Sequence, residues 1–113
     1  MPDKKKKFIA LSKVREFIEA QSTDVQAEYR QIVTILETEG RLAMPYGEKI
    51  ERENLFAIRV IRAGNVRVFY VYGIEDKVYG LSGYVKKTQE IPEHEMKNAK
   101  RIARELKQGG LIK

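Results

Sequence analysis

Five apolar residues, Val25, Tyr29, Ile32, Val33 and Leu36, recur at offsets of 4, 7, 8 and 11. That spacing draws one stripe along a helix. Gly40 closes it as a left-handed stop. Thr23 with Gln26 has the spacing of a capping box at its start. A shorter helix precedes it over about Lys13 to Gln21. Its inward face is Val14, Phe17 and Ile18, and Ser12 is its expected N-cap. The two helices read as a hairpin. The apolar run Phe8 to Leu11 reads as a short first strand or as a lead-in to the first helix.

Beyond the loop Met44-Pro45-Tyr46-Gly47 the pattern changes to β-type. Leu55 to Arg62, Val66 to Tyr72 and Val78 to Val85 are rich in Val, Ile, Phe and Tyr. Ala63-Gly64-Asn65 and Gly73 to Lys77 are the turns, so three strands form an antiparallel meander. Pro92 suits the first position of a final helix, with Glu93 and Glu95 complementing its positive end. Met96, Ala99, Ile102, Ala103 and Leu106 are its apolar face, and Gly109-Gly110 ends it. The expected fold is α+β: two N-terminal helices packed on a small twisted antiparallel sheet of three to four strands, with a C-terminal helix. The helices are expected on one sheet face, leaving the other partly open as a shallow surface. No repeat or long linker divides the 113 residues, so a single domain over 1–113 is expected.

Composition narrows the chemistry. Cysteine is absent, which excludes disulfides and thiolate metal sites. No apolar run approaches a membrane span of about 20 residues. Phe8 to Leu11 is too short for a signal-peptide core, so a cytoplasmic protein with no membrane partner is expected. The net charge of +6, from 22 basic and 16 acidic residues, favours a polyanionic partner. Residues 1–7 carry a basic run, Lys4 to Lys7, read as a solvated and flexible terminus.

Standard catalytic motifs are missing. There is no P-loop and no dinucleotide fingerprint. The single His excludes a His-pair nuclease, and no acidic cluster suggests a two-metal centre. No cofactor and no metal are therefore expected. Catalysis would fall to Arg, Lys, Tyr or a lone carboxylate. Arginines are unusual in strands unless paired or facing an opening, and Arg59, Arg62 and Arg67 all lie in or beside strands. A three-residue turn at 63–65 pairs Arg62 with Val66, Ile61 with Arg67 and Arg59 with Phe69. In that register Arg59 and Arg67 share a face, while Phe56, Ile58, Val60, Val68 and Tyr70 share the other. A two-residue turn would separate the two arginines. Lys86 and Lys87 end the third strand at the sheet rim. Such a group of cations suits a crowded anionic phosphoryl transition state. Ion pairing with helix carboxylates is the structural alternative.

Leu55-Phe56-Ala57-Ile58-Arg59-Val60, Arg67-Val68-Phe69-Tyr70 and Leu81 through Pro92, with its Val-Lys-Lys-Thr-Gln stretch, stand in an order and spacing that resemble a known family. They are similar to the phage-derived HigB-like branch of the RelE/ParE toxin superfamily, over about Phe8 to Leu106. The Pro45-Tyr46 loop fits the same resemblance. It implies a RelE-like fold. It implies the toxin of a type II toxin–antitoxin system, a metal-independent mRNA endoribonuclease acting on the ribosome and inhibiting translation. It implies neutralisation by a cognate antitoxin, often a helix-turn-helix protein. Carried over by position, Arg59, Arg67, Lys86 and Lys87 are the implied catalytic residues. Many relatives use a Tyr or His near the C-terminus, and here His94 and Tyr84 are the candidates for a base or a positioning group. His94 falls in a first helical turn, where the dipole disfavours its charged form. The alternatives are a ParE-like inhibitor of DNA gyrase on the same fold, and a non-catalytic relative that binds an antitoxin or RNA.

Overall fold

The computed structural model describes residues 4–50 and 54–113. In chain order the elements are β1 (Lys7–Ala10), α1 (Ser12–Glu19), α2 (Thr23–Glu39), β2 (Gly47–Lys49), β3 (Phe56–Val60), β4 (Val66–Tyr72), β5 (Lys77–Val85) and α3 (Glu93–Gln108). The five strands make one sheet in the order β1-β5-β4-β3-β2. The β2 to β5 neighbours are antiparallel, and β1 joins β5 in parallel. The sheet is thus mixed and larger than the three to four strands expected. The ambiguous Phe8 to Leu11 run resolves as strand through Ala10. The loop expected at Met44 to Gly47 forms as a turn over residues 44–46, and Gly47 opens the short edge strand β2.

Burial along the strands explains the layering. Six consecutive residues of β4, Val66 to Val71, are buried, as a strand covered on both faces requires. Two cores flank it. On one side Val14, Ile18, Val25, Tyr29, Ile32 and Leu36 of α1 and α2 pack on Ile58, Val60, Val66, Val68 and Tyr70. On the other side Ala99 and Ile102 of α3 pack with Phe69, Val71, Leu81 and Tyr84. The helices therefore do not share one sheet face: α3 lies across the sheet from the hairpin. Helical periodicity identifies which residues turn inward, and it carries no information on which side of a sheet they land.

Local capping departs from the sequence reading in detail. Ser12 is the first residue of α1 rather than its cap; Leu11 takes that place without a side-chain hydrogen bond. In α2 the cap is Ser22, whose hydroxyl accepts from the Val25 N–H at 3.2 Å, and the Thr23 capping box does not form. Pro92 is the N-cap of α3, one position earlier than expected. Gly40 ends α2 in the left-handed region at φ 81°, as its residue type allows.

Lys4 to Lys7 are not a loose tail. The Lys5 and Lys6 N–H groups donate to the Glu37 carbonyl at 2.8 and 3.0 Å, Lys4 Nζ stands 3.1 Å from the Glu37 carboxylate, and Lys7 begins β1. The remainder of the expected flexible segment, residues 1–3, lies outside the described residues.

Candidate functional site

The β3–β4 ladder sets the site. Its pairs are Val60 with Val66, Arg59 with Arg67 and Ile58 with Val68. The connection is therefore five residues, 61–65, not three, and each pairing sits two residues from the expected one. A shift of two preserves the face, so Arg59 and Arg67 do share a side, now directly opposite one another. The apolar set Phe56, Ile58, Val60, Val68 and Tyr70 fills the other side as expected.

Two like charges across a ladder repel, so something else must hold this register. Glu28 of α2 does so at the start of the connection. Its carboxylate accepts from the N–H groups of Ile61 at 2.8 Å, Arg62 at 3.1 Å and Ala63 at 2.7 Å. Burial pushes this carboxyl up, but the three N–H groups and nearby Arg62 outweigh it and hold it below the ordinary value. Glu28 was absent from the expected core and site. The available signal was a carboxylate three residues after Val25, on the inward stripe of α2.

Arg67 is the central cation. It is only 4% exposed, its Nη1 donates to the Val66 carbonyl at 3.1 Å, and its buried Nε has no hydrogen-bond partner. Burial, reinforced by the neighbouring Arg59 charge, lowers its pKa. An anion delivered to it would relieve both costs. Arg59 is differently placed. Its Nη1 donates to the Pro45 carbonyl at 3.2 Å, and its Nε, buried without a hydrogen bond like that of Arg67, stands 3.8 Å from the Glu48 carboxylate on β2. It is partly neutralised by β2, the strand that sequence reading missed.

Beside Arg67 an open hollow of about 430 Å³ is lined by Asn65, Arg67, Lys86, Lys87, Thr88 and Gln89. Three of the four expected catalytic residues thus meet in one hollow, and Arg59 flanks it without lining it. Tyr84 pairs with Arg67 across the β4–β5 ladder, and its ring stacks on Phe69 at 5.6 Å between centroids. Burial raises the Tyr84 phenol, with Arg67 opposing and Glu48 and Glu95 reinforcing. At neutral pH it is a proton donor rather than a base. The His94 side chain is 82% exposed, 3.7 Å from the Glu95 carboxylate, and outside the hollow. Asn65, Thr88 and Gln89 were not singled out as site residues. Asn65 looked like an ordinary turn residue, and Thr88 and Gln89 belonged to the quoted Val-Lys-Lys-Thr-Gln stretch without a role.

Comparison with known proteins agrees with this architecture. The family model of phage-derived Gp49-like proteins matches residues 16–104. The chain belongs to that family. The match takes in every strand of the meander, both hollow lysines and most of α3. The Gp49-like chain also superposes on a chain in the crystal structure of the toxin–antitoxin complex RelBE2 from Mycobacterium tuberculosis. The TM-score is 0.55 at 18% identity, over 72% of this chain and 98% of that one. This likeness shows a shared fold, the RelE-like one expected from the sequence. No curated protein matches the Gp49-like chain. Among the described residues no helix is long and apolar enough to cross a membrane.

Proposed function

We propose that the chain is the toxin of a type II toxin–antitoxin pair and a HigB-like, metal-independent mRNA endoribonuclease that works on the ribosome. The observation that carries the reading is the meeting of Arg67, Lys86 and Lys87 at one open hollow, with a buried guanidinium Nε left unpartnered. A buried guanidinium whose Nε has no hydrogen-bond partner, and which shares the Glu48 carboxylate's field with Arg59, is costly and suits an anionic ligand. The solved relative of the same fold comes from a toxin–antitoxin complex, which supports a cognate antitoxin as partner.

In this reading the RNA supplies its own nucleophile. The 2′-hydroxyl attacks the adjacent phosphorus, and the P–O5′ bond breaks to leave a 2′,3′-cyclic phosphate and a 5′-hydroxyl. The 2′-hydroxyl proton passes to water, the leaving 5′-oxygen takes the Tyr84 hydroxyl proton, and Tyr84 regains a proton from water. Arg67 takes the charge that develops on the non-bridging oxygens, since preorganised donors act most strongly where water is excluded. Lys86 and Lys87 hold the phosphate. The proton for the leaving oxygen comes in this reading from Tyr84, protonated, across the ladder from Arg67, and 5% exposed beside the hollow rather than lining it. Arg59 adds positive field from behind Arg67 while Glu48 keeps it in place. The ribosome holds the message in line, and orientation contributes much of the rate.

Induced expression with primer extension on a reporter mRNA tests this. Wild type should arrest growth, stop translation before replication, and give discrete 5′ ends; Arg67→Ala should do none of these while folding normally. Full toxicity from a folded Arg67→Ala protein refutes the site. Loss of replication before translation refutes the nuclease in favour of a gyrase inhibitor. Absence of growth arrest from folded wild type refutes the toxin reading.

A further inference from the structure

We infer that Asn65 is a positioning residue that fixes Lys86 for its phosphate contact, an inference that rests on the nuclease reading and names the device on which its lysine depends. Lys86 lies one residue beyond β5, where the ladder no longer defines the backbone. The loop that joins β3 to β4 reaches it. The Lys86 N–H donates to the Asn65 carbonyl at 2.7 Å, and Asn65 Nδ2 donates to the Lys86 carbonyl at 2.9 Å. One residue therefore grips both backbone polar groups of the other, extending the sheet by one pair beyond Val66 and Val85.

This clamp has a fixed base. The same connection is held at its other end by the three N–H bonds to Glu28, so α2, the loop and the end of β5 form one hydrogen-bonded path. Asn65 suits the role by size: its amide sits two bonds from the backbone and reaches a neighbouring carbonyl. Ala keeps the Lys86 N–H bond, which uses the Asn65 main chain, and loses the other. Asp keeps the shape, loses the donor and sets a carboxylate against a carbonyl oxygen. Both substitutions loosen Lys86 without removing its charge.

A double-mutant cycle on single-turnover mRNA cleavage by the full chain on purified ribosomes tests the inference. Asn65→Ala should lower the cleavage rate roughly 10- to 100-fold, the scale of a displaced catalytic contact, with little change in the protein concentration giving half the maximal rate. Asn65→Asp should not rescue it. In a Lys86→Ala background, Asn65→Ala should change the rate less than about twofold, because the two act as one unit. A full further loss in that background overturns the inference, because Asn65 then contacts RNA itself or serves only folding. An Asn65→Ala protein as fast as wild type also overturns it, while leaving the nuclease reading intact. If wild type and Arg67→Ala are equally inert on programmed ribosomes, the nuclease reading falls and the inference goes with it. Thermal unfolding of each variant shows whether it is folded, and Asn65→Asp provides the measurement where Asn65→Ala does not fold.

Discussion

At the scale of single residues, the hollow is asymmetric in how its charges are held. Arg67 is buried and under-bonded, Arg59 is tied to Pro45 and Glu48, and Lys87 stands in solvent. Their substitution effects should differ accordingly. Arg67→Lys retains a charge but not the planar guanidinium that can face two phosphate oxygens at once, so activity should fall nearly as far as in Arg67→Ala. Tyr84→Phe keeps the ring that stacks on Phe69 and removes the hydroxyl. Thermal stability should change by less than about 1 kcal/mol, in the range of a neutral hydrogen bond. Cleavage should drop about 100-fold or more if the phenol gives up a proton in the transition state. Circular-dichroism melts and single-turnover rates on the same preparations separate the two effects; an unchanged rate removes Tyr84 from the chemistry.

Among the elements, the contact between α2 and the β3–β4 connection is the joint on which the site depends. Glu28 is 8% exposed and its folded pKa is depressed, so the stability it contributes is fully present above the ordinary glutamate value of about 4.3. That stability is lost as pH falls through the folded value. Glu28→Gln leaves an N–H group facing an amide NH₂ and should cost about 1–3 kcal/mol at neutral pH. The difference between wild type and Glu28→Gln should shrink below about pH 4, which denaturant unfolding across pH 3–7 measures; a constant difference contradicts the charged role. At the α1–β5 contact, a Cβ on Gly83 would lie 2.5 Å from the Phe17 ring. Gly83→Ala should lower stability by about 1–3 kcal/mol, as overpacking does, and a chemical melt reads it. Much of this element structure was legible beforehand. The stripe of α2, the Gly40 stop and the Val66 to Tyr72 strand follow from period and residue type, whereas the shared face of Arg59 and Arg67 also needed a turn of odd length, which the expected three residues and the observed five both supply. Three features did not. β2 is three residues long and has too few side chains to show a period. The side of the sheet taken by α3 is a tertiary choice. The turn length was misread because Ile61 and Arg62 look like strand residues, and their strand partners are replaced by a carboxylate 33 and 34 residues earlier in the chain.

For the molecule as a whole, the distribution of the +6 charge gives the proposed RNA binding a testable salt dependence. Several basic side chains away from the hollow already face acids: Lys4 meets Glu37, Lys6 meets Asp76, Lys97 meets Glu93 and Arg101 meets Glu105. Surface pairs of this kind add little to stability, but the nearby acid weakens the local positive field offered to a polyanion. Arg67, Lys86 and Lys87 line their hollow with Asn65, Thr88 and Gln89, and no acid is among these lining residues. Binding of a short single-stranded RNA made uncleavable by a 2′-deoxy substitution should therefore involve about three phosphate neutralisations. Counterion release then gives a log–log slope of affinity against salt near −2, from about −0.7 per phosphate. Lys87→Ala should reduce the slope by about 0.7 and weaken binding similarly for different sequences, because a lysine on phosphate positions the strand without reading it. Lys97→Ala, on the outer face of α3, should leave both slope and affinity unchanged. Fluorescence anisotropy between about 50 and 200 mM salt resolves these values. Equal slopes for wild type and Lys87→Ala, or a reduced slope for Lys97→Ala, would move the RNA path away from the Arg67 hollow and onto the helix.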